Sequence, residues 1–304
     1  MHPSSFFPTF ASVLRIGAPQ GAFPYVWRPL ITTIKTSKDT MKKFILDLKV
    51  TEVTKPHPRY VLIKLTDPEK ALPEMLPGQF AQLRVDGSKT TFLRRPISIH
   101  YVDAERNELW FLVQTVGDGT RALAALREGD TLNVVLPLGN SFTMPSHPSE
   151  RMLLVGGGVG CAPLLLMGKE MADKGCRPTF LIGARTKADL LQLDLFAQLG
   201  DVYVTTEDGS YGEKGFVTQH SLLQQDSKFQ RIATCGPKPM MMAVARYAHA
   251  EGIPCEVSLE NKMACGVGAC LCCVENTREG HKCVCTDGPV FDICELMETW
   301  GIGK

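Results

Sequence analysis

The chain has 304 residues, enough for two or three domains with complete hydrophobic cores. Its 44% hydrophobic and 21% charged residues are typical of a globular protein, and its formal net charge of +1 argues against nucleic acid as a partner. No apolar stretch is long enough to span a bilayer, and eleven cysteines, eight of them at positions 255–294, predict a reducing, cytoplasmic location.

Residues 1–40 differ from the rest of the chain in composition. Their charged residues are four cations and one acid, namely Arg15, Arg28, Lys35, Lys38 and Asp39. An acid-poor leader with Arg and Ser is typical of an organellar transit peptide. The alternative is that translation starts at Met41 and that residues 1–40 are upstream read-through. The predicted strand that begins immediately after Met41 favours this alternative. In either case we expect these residues to be disordered or loosely packed.

The first predicted domain, residues 41–147, is a series of short strands. Several segments alternate apolar and polar residues, as half-buried antiparallel strands do. Six such strands with Gly and Pro turns predict an antiparallel Greek-key barrel. One helix interrupts them, with Thr120 as its predicted N-cap and Gly129 as its predicted end. The six candidate strands are residues 44–50, 60–65, 80–85, 97–101, 108–113 and 131–136.

Two features of this domain suit a phosphate-bearing cofactor. Arg94 and Arg95 place two cations, and Ser98 a hydroxyl, at the head of a strand, where they suit a pyrophosphate. Residues 117–120 (GDGT) place free backbone N–H groups at a helix N-terminus, whose dipole favours an anion. Either feature alone is commonly a solvated arginine pair or a simple turn. Their occurrence in one barrel makes them a candidate cofactor site.

The second predicted domain, residues 150–254, alternates strands with helices. The predicted strands cover residues 152–155, 179–182, 202–205 and 232–235. The predicted helices run from the loop after the first strand to residue 174, and over residues 187–199 and 237–252. This alternation predicts a doubly wound parallel sheet, which binds ligands at the carboxyl ends of its strands.

Two loops at these strand ends are candidates for binding a nucleotide. The first loop is rich in glycine and contains Gly156, Gly157, Gly158 and Gly160. It departs from the GxGxxG fingerprint, because Pro163 stands where the third glycine belongs. The second loop follows the last strand and contains Cys235, Gly236 and Pro237. A strand-to-helix turn that binds nothing is the alternative for each, and residues 208–215 form a loop long enough to lie over a bound nucleotide.

The third predicted domain, residues 255–304, contains a cysteine pattern. Cys265, Cys270 and Cys273 have the Cys-x4-Cys-x2-Cys spacing of plant-type [2Fe–2S] proteins, whose fourth thiolate arrives from a later segment. Gly266 and Gly268 allow left-handed backbone conformations, so that N–H groups can point at cluster sulfurs. Structural zinc usually needs two Cys-x2-Cys knuckles, and the odd cysteine count disfavours disulfides. The spacing therefore predicts an iron–sulfur cluster.

Two cysteines are candidates for the fourth ligand. Cys283 and Cys285 are two apart and face the same side of an extended strand, so position alone does not distinguish them. Cys285 leads into a Thr-Asp-Gly-Pro turn, which would end the segment at the cluster. We expect Cys272 to be a bystander, and Cys294 is a further candidate outside the loop.

The order of the three parts resembles the ferredoxin-reductase superfamily. Within it, the chain resembles the electron-transfer subunits of NAD-dependent dihydroorotate dehydrogenase from residue 41 to about residue 293. The cysteine loop is the most specific part of the match. The matching motifs are residues 93–98 (LRRPIS), 156–163 (GGGVGCAP), 208–212 (DGSYG), 235–240 (CGPKPM), 263–270 (MACGVGAC) and 284–291 (VCTDGPVF).

The resemblance implies the cofactors and the residues that bind them. It implies Cys285 as the fourth cluster ligand, NAD at the two loops of the second domain, and FAD at the barrel. The implied FAD-binding residues are Arg95, Pro96, Ile97, Ser98, Leu112, Val113, Gln114, Gly119 and Thr120. Two features depart from the family: Cys272 and Cys283 are extra cysteines, and residues 1–40 have no counterpart.

The resemblance also implies a function in pyrimidine (UMP) biosynthesis. Dihydroorotate would be oxidised at FMN in a separate catalytic subunit, and this chain would pass the electrons through [2Fe–2S] and FAD to NAD+. The implied assembly is a heterotetramer with two copies of each chain. We therefore predict that this chain has no general acid–base residue and no orotate site.

Three alternatives remain. A subunit of an NAD(P)H-linked ferredoxin or sulfide oxidoreductase resembles this chain over all three parts, but that group typically has an aspartate at the first cluster position, where Cys265 stands here. A free-standing flavin reductase or redox sensor is distinguished by assaying NADH oxidation with an artificial acceptor. A zinc-stapled interaction protein would be colourless.

Overall fold

The computed structural model describes residues 42–224 and 229–303. The predictions for residues 1–40 lie outside these ranges. Within them the chain forms two seven-stranded sheets and a two-stranded hairpin. No helix in the described part of the chain is long and apolar enough to cross a membrane.

The first sheet is antiparallel throughout. Its strands are β1 (Phe44–His57), β2 (Tyr60–Thr66), β3 (Phe80–Leu83), β4 (Arg95–Ser98), β5 (Tyr101–Asp103), β6 (Glu108–Gln114) and β7 (Thr131–Leu138). They pair in the order β4-β3-β7-β1-β2-β6-β5. The edge strands β4 and β5 follow each other in the chain, with Ile99 and His100 between them. The sheet therefore curls until its edges come close, which gives the predicted barrel in open form.

This sheet has seven strands, whereas the sequence predicts six, because residues 97–101 do not form one strand. The backbone N–H of Ile99 donates to the carbonyl of Gln79, beside β3, at 3.0 Å. The N–H of His100 donates to the carbonyl of Trp110 in β6, also at 3.0 Å. The backbone thus changes its partner strand between these two residues, and an apolar repeat gives no sign of such a change.

The barrel helix α1 (Asp118–Leu123) corrects two predictions. Its N-cap is Gly117 rather than Thr120, and it ends well before Gly129. Thr120 lies in the first turn, where its Oγ1 accepts hydrogen bonds from the N–H groups of Val116 (2.9 Å) and Gly117 (3.1 Å). Thr120 therefore stabilises the turn that precedes the helix from a position inside the helix.

The second sheet carries the predicted parallel strands. The remaining strands of the chain are β8 (Met152–Gly157), β9 (Thr179–Ala184), β10 (Asp201–Thr206), β11 (Glu213–Lys214), β12 (Arg231–Cys235), β13 (Cys255–Ser258), β14 (Val274–Thr277), β15 (Gly280–Cys283) and β16 (Val290–Asp292). Strands β14 and β15 form the hairpin, and the others pair in the order β11-β10-β9-β8-β12-β13-β16. Every pair of this sheet is parallel except β13 with β16.

Helices connect the parallel strands, as the alternating pattern predicts. They are α2 (Ala162–Asp173), α3 (Leu193–Leu199), α4 (Ser221–Gln224) and α5 (Lys238–Ala250), and α6 (Ile293–Trp300) follows the last strand. In the central strand β8, Met152 and Leu154 pack into one core with α2, and Leu153 and Val155 pack into another with α5. Because both faces are covered, the strand is a continuous apolar run rather than an alternating one.

The predicted helix over residues 187–199 is interrupted. A 3₁₀ turn covers Lys187–Asp189, and α3 begins only at Leu193. Between them Gln192 has a left-handed backbone with φ of 51°, and its side-chain amide lies 2.8 Å from Nε2 of the buried His100. The interruption thus accompanies a contact with the barrel, which helical periodicity does not report.

The C-terminal segment returns to the second sheet. Strand β16 pairs with β13 through Glu256 opposite Asp292 and Ser258 opposite Val290. Asn140 holds the same segment, because its amide donates to the carbonyl of Val290 (2.8 Å) and accepts from the N–H of Val290 (2.9 Å). The second sheet therefore continues beyond residue 254, and the predicted domain limits stay predictions.

Candidate functional site

A cavity of about 710 Å³ opens at the carboxyl ends of the parallel strands. Predicted NAD-region residues line it, namely Gly157, Gly158, Gly160, Gly236 and Pro237. Two other predicted residues, Gly156 and Cys235, lie instead opposite each other in the adjacent strands β8 and β12. Burial raises the pKa of the Cys235 thiol, as is typical of a packed, unreactive cysteine.

The two loops meet at Gly160. A Cβ at this position would lie 2.4 Å from Gly236 Cα and 2.5 Å from the carbonyl oxygen of Cys235. Both distances are too short for any side chain, so glycine is required for the loops to approach. Loops from two neighbouring strands thereby form one continuous wall of the cavity.

The predicted FAD-binding residues lie along β4, β6 and α1. Strand β4 is half-buried and consists of Arg95, Pro96, Ile97 and Ser98. Gly119 lies against it, because a Cβ there would be 3.0 Å from Arg95 Cδ. Leu112 and Val113 are buried in β6, and Gln114 at its end lines the cavity of the second sheet. The predicted FAD and NAD sites are therefore contiguous at Gln114.

The two adjacent arginines, Arg94 and Arg95, differ in what they contact. Arg94 is turned inward, where its guanidinium donates to the carbonyls of Gln82 (3.2 Å) and Asn133 (3.1 Å). At the N-terminus of α1, Asp118 accepts hydrogen bonds from Thr90 and Arg121, which hold the pKa of its carboxyl below the usual range. A carboxylate there already satisfies part of the helix dipole. Arg95 is therefore the better candidate for binding a pyrophosphate.

Several residues of the cavity are absent from the sequence-based prediction, and two of them belong to the barrel. Arg59 and Tyr60 line it from the barrel side. The Arg59 guanidinium contacts the carboxylate of Asp189 across the cavity, and His57 Nε2 lies 3.7 Å from the same carboxylate. Burial raises the pKa of Asp189, but hydrogen bonds from Thr186 and Arg59 outweigh it, so the net shift is downward. These residues follow no motif, so the sequence offered no signal for them.

The cavity extends toward the cysteine segment at Glu260. Burial raises the pKa of this carboxyl group. The neighbouring Asn261 also lines the cavity, and its amide donates to Glu275 Oε2 at 3.0 Å. Lys238 Nζ, from the start of α5, lies 3.6 Å from the other oxygen of Glu275. Residues that flank the cysteines in sequence, Glu260, Asn261 and Glu275, thus also line the cavity. The sequence pattern assigns no role to Glu260.

Each of the four predicted cluster ligands accepts a backbone hydrogen bond. The N–H donors and Sγ acceptors are Val267 to Cys265 (3.4 Å), Cys272 to Cys270 (3.5 Å), Cys285 to Cys273 (3.4 Å) and Gly268 to Cys285 (3.2 Å). Backbone N–H groups aimed at sulfur favour the thiolate form that binds iron. The bond from Gly268 also joins the loop to the later segment, which favours Cys285 over Cys283 as the fourth ligand.

The loop backbone fits a [2Fe–2S] cluster. Gly266, Gly268 and Leu271 have left-handed conformations, with φ of 72°, 82° and 57°. A Cβ at Gly268 would lie 2.9 Å from Thr286 Cγ2, so the loop is also tightly enclosed. Among the described residues, no three or more His, Cys, Asp or Glu side chains gather around one metal position. A [2Fe–2S] cluster instead divides its ligands between two irons.

The thiols of this site differ in acidity. Hydrogen bonds, above all from the Val267 N–H, lower the pKa of Cys265 to about 6. Burial raises the pKa of Cys285 to about 12. Cys265 is therefore ready to bind metal at neutral pH, whereas Cys285 releases a proton when it binds.

Family models match two parts of the chain. Residues 260–297 match the iron–sulfur cluster binding domain of dihydroorotate dehydrogenase B, and residues 154–246 match the oxidoreductase NAD-binding domain. The first match contains all four predicted cluster ligands. The second contains both loops at the cavity.

Proteins similar to this chain along most of its length are electron transfer subunits of dihydroorotate dehydrogenase B (NAD(+)). The subunit from Shouchella clausii (strain KSM-K16) is 42% identical over 227 residues, which are 73% of this chain and 86% of that protein. The subunit from Geobacillus kaustophilus (strain HTA426) is 38% identical over 226 residues, with the same coverage. A solved NADH-dependent reduced ferredoxin–NADP oxidoreductase, studied for flavin-based electron bifurcation, is 32% identical with a TM-score of 0.73 and covers 82% of this chain and 88% of that one.

Proposed function

This chain belongs to the family of dihydroorotate dehydrogenase B electron transfer subunits, and we propose that it passes electrons from a dihydroorotate-oxidising subunit to NAD+ in pyrimidine biosynthesis. It is an oxidoreductase subunit, and its cofactors are FAD, a [2Fe–2S] cluster and NAD. The observation that carries the proposal is the set of backbone hydrogen bonds to four cysteine sulfurs within the matched iron–sulfur domain.

Cys265, Cys270, Cys273 and Cys285 would hold the cluster. Bound there, the cluster would supply one-electron transfer, FAD the conversion between single electrons and electron pairs, and NAD+ a hydride acceptor. Cys273 and Cys285 are buried, whereas Cys270 is exposed and Cys265 is half-buried. One side of the site is therefore close to the surface, where a partner subunit can deliver electrons.

The barrel and the second sheet would bind the two nucleotides. Arg95, beside Gly119, supplies the positive charge for the FAD pyrophosphate, and Leu112, Val113 and Gln114 supply a wall for the flavin. The glycine loop, with Gly236 opposite Gly160, lets backbone N–H groups approach the NAD pyrophosphate. Because Gln114 belongs to the barrel and also lines the cavity, the flavin and the nicotinamide would meet there.

The partner in this proposal is a catalytic subunit that binds FMN and oxidises dihydroorotate. The relatives are themselves electron transfer subunits, so a catalytic subunit is the partner that they require. We place two copies of each chain in the complex, and we place the complex in the cytoplasm, where thiolates remain reduced.

A pair of neighbouring cysteines allows a controlled test. The variant Cys270→Ser should lower dihydroorotate-dependent NAD+ reduction by the reconstituted complex by about a hundredfold or more, because a ligand to iron is lost. The variant Cys272→Ser, which changes an exposed neighbour, should keep full coupled turnover and the visible spectrum of the cluster. Both variants should still oxidise NADH with an artificial acceptor, since that reaction uses only the flavin and nucleotide sites.

Two results would contradict this function. One is full coupled turnover by the Cys270→Ser complex. The other is dihydroorotate oxidation by this chain alone, which would place the substrate site on this chain instead of on the catalytic subunit. The alternative of a ferredoxin-linked oxidoreductase subunit is less favoured, because the relatives at 38–42% identity are dihydroorotate dehydrogenase subunits and the ferredoxin-linked structure is 32% identical.

A further inference from the structure

Gln82 is a fully buried polar side chain that the proposed function does not use. It lies in the middle of β3, with no exposed surface. Its amide nitrogen and oxygen have no hydrogen-bond partner among the described residues. Leaving both ends of a buried amide unpaired destabilises a protein, so such a side chain calls for an explanation.

The amide lies against the loop of residues 265–273, which carries three of the predicted cluster ligands. A Cβ at Gly266 would be 2.7 Å from Gln82 Cγ and 2.9 Å from Gln82 Nε2. Gly266 directly follows the predicted ligand Cys265, and its left-handed backbone carries the chain past the amide toward Val267. A side chain from the barrel therefore reaches the loop on its Cys265 side.

The same strand position faces the predicted FAD site. Gln82 lies directly opposite Pro96 of β4, a predicted FAD-binding residue. Residues that face each other across an antiparallel pair project to the same side of the sheet. Gln82 thus lies beside the strand that would bind flavin and against the loop that would bind iron.

We propose that Gln82 Nε2 donates a hydrogen bond to a sulfur of the [2Fe–2S] cluster on the Cys265 side and thereby raises the reduction potential of the cluster. This inference rests on the proposed function, because it requires the cluster at these cysteines. In this account Gln82 contacts the cluster and changes its potential, but it binds no substrate and exchanges no proton.

The direction of the effect follows from charge. Reduction adds one negative charge to the cluster, and a hydrogen bond to sulfur stabilises the more negative state more strongly. Removing the donor should therefore disfavour reduction of the cluster and leave the flavin potential in place. A side chain that served only to fill space would move neither potential when replaced by a residue of the same shape.

The test replaces the amide with a thioether of similar length and flexibility. We expect Gln82→Met in the complete complex to disfavour cluster reduction about tenfold, a fall of about 59 mV for a one-electron couple. The measurement is a redox titration followed by electron paramagnetic resonance of the cluster and by flavin absorbance. The matched control is Gln79→Met, because Gln79 is also buried in the barrel but its amide donates to the carbonyl of Gly139 and accepts from the N–H of Leu76.

A second measurement needs no substitution. In wild-type protein grown with glutamine labelled with ¹⁵N at the side-chain amide, pulsed electron paramagnetic resonance of the reduced cluster should show a hyperfine coupling to that nitrogen. An unchanged cluster potential in Gln82→Met, a shift confined to the flavin, or the absence of the coupling would overturn the role of Gln82. Wild-type protein without any [2Fe–2S] signal would overturn the proposed function as well.

Discussion

His100 shows how a single buried ring joins two parts of this molecule. It has no exposed surface, and its Nδ1 lies 2.9 Å from the carbonyl of Ala162 at the start of α2. Its Nε2 lies 2.8 Å from the Gln192 side-chain amide, which precedes α3. The barrel is therefore tied by one imidazole to both helices that follow the first two parallel strands. Burial lowers the pKa of this imidazole, although the two hydrogen bonds oppose the shift.

The lowered pKa predicts a dependence of stability on pH. In the unfolded chain the ring takes up a proton near its ordinary pKa of 6.5, whereas in the folded protein it does so only at lower pH. The stability contributed by the neutral ring is therefore complete above about pH 6.5 and falls as the pH decreases toward the folded pKa.

The variant His100→Gln, which stays neutral, separates this effect from the loss of hydrogen bonds. At pH 8 it should be less stable than the wild type by about 1–3 kcal/mol, because buried hydrogen bonds are lost. Below pH 6.5 the gap should narrow, since the variant has no ring to protonate. Thermal unfolding measured between pH 8 and pH 5.5 checks this, and parallel curves for the two proteins would refute it.

At the scale of single residues, the sequence predicted what local spacing determines. The Cys-x4-Cys-x2-Cys spacing placed three thiols on one loop, and the structure directs backbone N–H groups at all three. Gln82, Arg59 and Glu260 escaped prediction, because each matters through a contact with a distant segment. No repeat in β3, for example, reports that Gln82 meets Gly266.

At the scale of elements, the fold class is confirmed, and two departures from the predicted elements have a common cause. The barrel, the parallel sheet and the cysteine domain follow from alternating apolar residues, from strand–helix rhythm and from cysteine spacing. The sequence pattern did not predict the split between β4 and β5 or the break before α3. Both depend on contacts with distant segments, made by residues 99–100 and by Gln192. Periodicity describes one element at a time and carries no information on its neighbour.

The contact between the two cavity loops gives a prediction at this scale. In Gly160→Ala the new Cβ would collide with the backbone of Gly236 and Cys235, which forces the loops apart. We expect the KM for NADH in reduction of an artificial acceptor to rise about tenfold or more, equivalent to about 1.4 kcal/mol of binding free energy. The visible spectra of flavin and cluster should be unchanged, because neither predicted site includes Gly160.

Gly175→Ala is the control for this variant. Gly175 follows α2 with φ of 75°, and no atom lies within 4 Å of its missing Cβ. Alanine there strains the backbone and lowers stability without narrowing the cavity. If both variants raised the KM equally, the effect would come from general destabilisation rather than from the wall formed by the two loops.

At the scale of the whole molecule, one cavity is lined by residues of all three predicted domains. The cavity runs from Gly157 and Gly236, past Gln114 of the barrel, to Glu260 and Asn261 beside the cysteine segment. Exposed apolar side chains, Val267 and Leu271, flank the cysteines at the surface. A partner subunit would bury these side chains on the side from which electrons arrive.

The family resemblance, rather than any contact within the chain, predicts the composition of the assembled enzyme. When the chain is produced together with its catalytic subunit, the complex should have the mass of two copies of each chain in size-exclusion chromatography with light scattering. It should contain one FAD and one [2Fe–2S] cluster for each copy of this chain, with FMN on the partner. A stable complex with a single copy of either chain would refute this stoichiometry.

Because β16 pairs with β13, the iron-binding part of this chain is not an independent folding unit that can be removed from the nucleotide sheet. A polypeptide shortened before Val290 would lose the outermost strand of the nucleotide sheet. Residues 256–258 would then form an unpaired edge strand that is prone to aggregation. A transfer of the cysteine loop into another reductase must therefore include β16 as well as the cysteines. It must also include Asn140, whose side-chain amide makes two hydrogen bonds with the backbone of Val290.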